Sequence, residues 1–327
     1  MKAFLSLIRW PNLLIVALTM VLMRYAIIEP VISKINVEPA TSIGNLVPLS
    51  LKFPWYDFMI LVIATLLITA GGYVINDYFD IKTDLINKGE VIVGTKIPRR
   101  QALKWHNILN IAGVAAGFYI SWKAGYFWLG ILFLIVSGLL YFYSASYKRQ
   151  FLIGNIIVAL LTAMVPMLVV IFEWPPLYRY YTANAITPPQ IGIIFYWVGG
   201  FAIFAFLITL VREIIKDIED FEGDVAYGRN TVPVVTGIMT ARIISIFLIL
   251  VTAGLLYGVW YFFLNDKITL IYISLAIVLP LLFVVYQLII GTTKKQLHYS
   301  SRIIKFVMIA GVLYSVVVKV ILDQNLV

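Results

Sequence analysis

Residues 58–84 read FMILVIATLLITAGGYVINDYFDIKTD. The stretch up to Ile75 holds no charged residue and is long enough to cross most of a bilayer's hydrocarbon core. It runs without a break into Asn76-Asp77-Tyr78-Phe79-Asp80-Ile81-Lys82-Thr83-Asp84, with Glu90 just beyond. A second such junction lies at Arg212-Glu213-Ile214-Ile215-Lys216-Asp217-Ile218-Glu219-Asp220-Phe221-Glu222-Gly223-Asp224. With Glu90 counted, the two windows hold ten of the chain's 16 acidic residues.

Working outward, the same greasy pattern recurs. The 327 residues are 62% hydrophobic and 13% charged, with a mean hydropathy of +0.96. Nine apolar runs are long enough to span: 5–28, 57–76, 102–122, 126–144, 152–172, 191–211, 241–263, 268–290 and 303–322. Alternating β-barrel segments are absent, so the pattern predicts an all-α, polytopic membrane protein, one domain over 1–327. The first run is too long for the apolar part of a signal peptide and no small-residue cleavage site closes it. Between spans, 29–56 and 173–190 are rich in Pro and Tyr, while 77–101 and 212–240 carry the acids and bases.

With the N-terminus inside, 18 Lys and Arg fall on the inner side and seven on the outer. This positive-inside bias puts both windows on the cytoplasmic side of the inner membrane and the C-terminus outside. Basic charge facing anionic lipids accounts for the net +9 without nucleic acid. The windows follow the second and sixth spans, matching places in two four-helix halves with a ninth helix added. Corresponding polar insertions in two halves point to a site.

Helical spacing sets Asn76, Asp80 and Asp84 on one face, with Asp77 a turn from Asp80, and does the same for Glu213, Asp217, Asp220 and Asp224. Stacked like charges destabilise an isolated helix, and beside a membrane they read as functional. With no Cys and only His106 and His298, an oxygen-ligand site for a hard cation is the natural candidate. Mg²⁺ typically shares its shell with substrate phosphates. The metal set is then Asn76, Asp77, Asp80, Asp84, Asp217, Asp220 and Asp224. Lys88, Lys148, Arg212 and Lys216 lie on the same side to hold free diphosphate oxygens, with Lys82, Arg149 and Arg229 nearby. The plainer account pairs these acids and bases as solvated loops, but two matching windows ask more of it. Tyr78, Tyr143 and Tyr147, next to the polar motifs, are the best placed aromatics to face an allylic cation. Gly71-Gly72 reads first as close helix packing.

These motifs, in this order and at these spans, resemble the UbiA superfamily of intramembrane prenyltransferases. The Arg9-Trp10-Pro11-Asn12 opening, the Tyr143 to Arg149 stretch and the Gly228 to Pro233 stretch agree. The resemblance covers essentially the whole chain. It implies a nine-helix bundle and Mg²⁺-dependent transfer of a prenyl group from its diphosphate to a lipophilic acceptor. Asp80, Asp84, Asp217, Asp220 and Asp224 would be catalytic, with Asn76, Tyr143 and Tyr147 among the diphosphate-binding residues. The second window is most similar to the digeranylgeranylglyceryl phosphate synthase group, which implies a geranylgeranyl donor and a geranylgeranylglyceryl phosphate-type lipid acceptor. Acceptor phosphate would then meet surplus bases such as Lys148, Arg149, Lys294 and Lys295, and an aromatic acid would sit near Arg9 and Asn12. One departure is local: where many members continue with Asn-Arg-Pro-x-Arg-Pro, this chain has Asn87-Lys88-Gly89-Glu90-Val91-Ile92-Val93-Gly94.

Three rivals stay open on sequence. A secondary transporter would bury fewer acids more deeply. An alcohol phosphotransferase would need an Asp-Gly-x-x-Ala-Arg motif, absent here. A terpene cyclase on the same scaffold would keep both windows and take no acceptor, and an aromatic acceptor is the alternative within prenyl transfer.

Overall fold

The structure, a computed structural model, describes residues 2–41, 44–88, 91–187, 189–291 and 293–324. Among them, nine long helices follow a short one at Lys2–Leu7. They are α1 Trp10–Ser33, α2 Trp55–Phe79, α3 Arg99–Ala124, α4 Phe127–Ala145, α5 Ile153–Asn184, α6 Ile193–Glu219, α7 Ile238–Leu264, α8 Lys267–Ile290 and α9 Lys294–Asp323. Eight are long and apolar enough to cross a membrane; α3 is long enough but too polar to be counted with them. The expected ninth span is therefore a helix of different character.

The physical reason is where the polar groups of α3 go. His106 Nδ1 lies 3.0 Å from the Gly71 carbonyl of α2, and Asn110 donates to the His106 carbonyl at 2.9 Å. Ser137 of α4 donates to Asn110 at 2.7 Å. These side chains face the bundle, while Ile108, Ile111 and Trp122 face outward. The glycines set the spacing, as the sequence suggests. A Cβ on Gly71 would stand 2.3 Å from the Asn110 side chain, and one on Gly72 would meet Leu140 at 3.0 Å.

Two other boundaries move. The first apolar run breaks at Arg9, which adopts a left-handed φ of 50° and ψ of 52° ahead of α1. The stretch 173–190, read as loop, is helical to Asn184 despite Pro175 and Pro176. Tertiary contacts hold it there. The Tyr181 hydroxyl accepts from the Ser50 amide at 2.8 Å, and the Asn184 carbonyl accepts from Ala40 at 2.9 Å. They dock the end of α5 on a small hairpin, β1 Asn36–Val37 with β2 Val47–Pro48.

α2 packs along α3 and α4, while α6 packs along α5, α7 and α9. α1 touches α2, α5, α6 and α9 and so stands between the halves. One buried apolar cluster draws mainly on α1, α2 and α5, and a second on α6 to α9. The space between them is the site.

Candidate active site

The two windows share a backbone design. α2 ends at Phe79, and Asp80 takes φ −91° and ψ 0° before a short helix, Ile81–Lys88. α6 ends at Glu219, and Asp220 takes φ −94° and ψ 9° before another, Phe221–Ala226. Four-residue hydrogen bonds carry through both breaks: Asp80 to Asn76 at 3.0 Å and Asp84 to Asp80 at 2.8 Å, Asp220 to Lys216 at 2.8 Å and Asp224 to Asp220 at 3.1 Å. The single continuous helical face expected for each window is thus interrupted, yet its register is nearly kept. Superposing the breaks pairs Asp77 with Asp217, Asp80 with Asp220 and Asp84 with Asp224.

Both windows line one cavity of about 630 Å³. Asn76, Asp77, Asp80, Asp84, Tyr143, Lys148, Arg212, Lys216, Asp217, Asp220 and Asp224 all reach it. Two expected residues do not. The ring of Tyr147 lies near Phe142, at 6.2 Å between centroids, and is absent from the cavity wall. Tyr78 packs on Phe79 and lies under Arg99, also off the wall. The side chain of Lys88 and the whole of Glu90 lie outside the described residues. Arg149, Lys294 and Lys295 are also off the wall.

The bases that the sequence put on this side find specific partners, and one residue it did not single out, Asn155, joins them. Arg229 donates to Asp80 at 2.6 Å and to Thr83 at 2.7 Å, and stands 3.4 Å from Asp224, so it ties the two windows together. Arg9 donates to Asp77 at 2.8 Å and lies 4.9 Å from the Tyr73 ring centroid. Asn155 donates to Asp217 at 2.8 Å. Lys148 completes the first cluster, 2.7 Å from Asp80 and 3.2 Å from Asn76. Glu213 accepts from Arg212 at 2.8 Å and Lys216 at 3.3 Å. The helical period held a signal for some of these: Tyr73 precedes Asp77 by one turn, and Phe201, Ala205, Thr209 and Arg212 form one stripe of α6 along the wall. Asn155 carried no such signal, and Arg229 was legible only as a base on the same side, not as the partner of Asp80.

Charge follows this geometry. Burial would raise the Asp80 carboxyl, but Lys148 and Arg229 hold it below the usual range. Burial pushes the Asp224 carboxyl up to about 6 against the pull of Arg229. It pushes the Lys148 ammonium down to about 8 despite Asp80. For Arg9, burial alone would weaken the cation, but Asp77, with Tyr73 and Asp84, outweighs it and the group rises. Among the described residues no three acids converge closely enough to hold a metal by themselves. The donor set is still all oxygen, from carboxylates and the Asn76 amide on two facing walls. That suits a hard cation sharing its shell with a phosphate ligand.

Away from the acids the cavity turns apolar and ends on Met23, Phe133 and Leu168. Beyond this floor lies a buried ion pair, Arg24 Nε to Glu173 Oε1 at 2.6 Å, with Phe58 4.5 Å from the guanidinium.

The chain that builds this cavity has relatives among known proteins. Residues 39–307 match the UbiA prenyltransferase family. The chain belongs to this family. A digeranylgeranylglyceryl phosphate synthase from Methanobrevibacter smithii is 34% identical over 220 residues, 67% of this chain and 72% of that one. A solved digeranylgeranylglyceryl phosphate synthase structure covers 96% of this chain and 98% of its own, with a TM-score of 0.60 at 23% identity. A UbiA homologue from Archaeoglobus fulgidus, solved with DMAPP and Mg²⁺, covers 96% and 99% with a TM-score of 0.55 at 17% identity. The structural likenesses speak for the fold: this prenyltransferase is an integral, all-α membrane protein of the UbiA type.

Proposed function

We propose that this UbiA prenyltransferase moves a geranylgeranyl group from its diphosphate to a lipid of the geranylgeranylglyceryl phosphate class. The observation that carries the reading is the cavity itself, where two acidic windows face each other at one end of an apolar tunnel. Similarity to the synthases of that name supports the acceptor. In the reaction the allylic C1–O bond breaks and the diphosphate leaves with the electron pair. The acceptor hydroxyl oxygen then bonds to C1, and its proton passes to the departed diphosphate, which carries the released negative charge.

Asn76, Asp77, Asp80 and Asp84 on one wall, with Asp217, Asp220 and Asp224 on the other, would hold Mg²⁺. When bound there it would supply Lewis-acid neutralisation of the leaving diphosphate. Lys148, Arg229 and Lys216 would bind the diphosphate oxygens left free. Tyr143 and Tyr73 would offer aromatic faces to the allylic cation. The apolar walls would exclude water from that cation and keep it for the acceptor.

The reading includes nine spans, with α3 as the third. At 26 residues α3 measures about 39 Å, and its outward face is apolar. It also includes an orientation with the acidic windows in the cytoplasm. A cysteine replacing exposed Lys82 in this Cys-free chain should resist an impermeant thiol reagent in intact cells, and one replacing Lys267 should react. Reversed labelling overturns the orientation.

The test of function is the purified protein with magnesium, geranylgeranyl diphosphate, geranylgeranylglyceryl phosphate and 4-hydroxybenzoate together, read by product mass. The doubly prenylated lipid is expected. A prenylated ring as the main product, or a cyclised or water-quenched prenyl chain alone, would overturn the acceptor.

A further inference from the structure

The cavity carries a cation, Lys305, that neither window pairs with an acid. Lys305 of α9 reaches the wall, and its ammonium donates at 2.7 Å to the amide oxygen of Asn12 on α1. No acidic side chain among the described residues pairs with it. The nearby charges are positive, from Arg212 and Arg9. Those arginines already have acids of their own, Glu213 and Asp77, each at 2.8 Å, and neither acid forms an ion pair with Lys305. A partly buried ammonium with only a neutral partner calls for an anion.

The placement is built into the packing of α6 against α9. A Cβ on Gly311 would stand 2.1 Å from the Phe204 ring, so the helices touch there. From that contact the antiparallel pair runs toward the windows, eight residues along α6 to Arg212 and six back along α9 to Lys305. At about 1.5 Å per residue these are comparable distances, so the two cations end at one level. On the cavity face of α9, Lys305 is followed at helical spacing by Met308 and Val312. A charged head above an apolar stripe matches a phosphate attached to a hydrocarbon chain. Lys148 and Arg229 already gather at Asp80 between the windows, which leaves Lys305 for a second anion.

The geometry points to Lys305, positioned by Asn12 and backed by Arg212, as the subsite for the phosphate of the lipid acceptor, separate from the donor's diphosphate. This rests on the proposed transfer to a phosphate-bearing lipid. The experiment measures steady-state kinetics of full-length protein in detergent, with geranylgeranyl diphosphate and geranylgeranylglyceryl phosphate varied in turn. Lys305→Gln should raise the acceptor KM by about tenfold to a hundredfold, the worth of a charged hydrogen bond, and leave the donor KM unchanged. Lys305→Arg should recover most of the loss. Asn12→Ala, which keeps the ammonium but loosens it, should give a smaller rise, and thermal unfolding of each variant separates misfolding from weakened binding. Geranylgeranylglycerol, which lacks the phosphate, should be used equally poorly by the parent and by Lys305→Gln.

A raised donor KM with an unchanged acceptor KM would assign Lys305 to the diphosphate and overturn the inference, as would no change in either. If the parent protein makes no product from the phosphate lipid but prenylates another acceptor, the functional reading itself falls and takes this one with it. That result is distinct because it needs no variant.

Discussion

At Asp80 and at Asp220 the chain makes the same move: a long apolar helix stops, one residue takes φ near −90°, and a short helix carries the next acid back toward the cavity. The surroundings of the two windows then diverge. Asp80 is met by two cations, at 2.6 and 2.7 Å, and Asp77 by a third. In the second window Asp217 is met by the neutral amide of Asn155. Asp224, nearly inaccessible, has Arg229 only at 3.4 Å. One backbone device therefore serves two electrostatic tasks. In the first window the protein's own bases hold Asp77 and Asp80; in the second, Arg212 and Lys216 go to Glu213, while Asp217 and Asp224 have less of their charge matched from within and so gain more from an added cation.

The largest effect expected is loss of either window. Asp80→Ala and Asp217→Ala should each lower turnover about a thousandfold or more, because charge on the leaving diphosphate loses a preorganised partner. Near-parental turnover by Asp217→Ala would break the comparison, leaving the second window a structural copy. The next effect tests the tie between windows. Arg229→Gln strips Asp224 of its cation while Asp80 keeps Lys148, so the variant should lose about 2 kcal/mol of stability. Magnesium should restore more of its apparent melting temperature than it adds to the parent, by binding the folded state. Equal shifts in both proteins would show that the acids do not compete for Arg229 and metal. The smallest effect belongs to Asn155→Ala. Losing one hydrogen bond to a carboxylate should raise the magnesium concentration for half-maximal rate about tenfold, with the donor KM less affected. No change would place Asn155 outside the metal's neighbourhood.

Much of this molecule was legible before folding was considered. Helix type, the clustering of acids at two span ends and the glycine contacts follow from local pattern, because membrane helices must satisfy their own backbone and cannot hide charge cheaply. The legible part stopped where partners come from far along the chain. Arg229 lies 149 residues from Asp80, and Asn155 lies 62 from Asp217. Tyr147 and Tyr78 were good candidates by proximity in sequence, yet helix ends turned both rings away from the cavity. Lys305 read as one more inner-side base, since nothing local separates a lysine facing lipid headgroups from one facing a cavity.

By itself, then, the sequence determined the class of structure, the two windows, the oxygen-only donor set and the family. Each depends on composition or on spacing within a turn or two. Tertiary structure alone decided which bases meet which acids, that α3 turns its polar side inward, and that α1 and α9 bring Asn12 and Lys305 together across 293 residues. Packing of the two halves around α1 sets those contacts, and the interaxial distances that glycines permit are not written in any one segment.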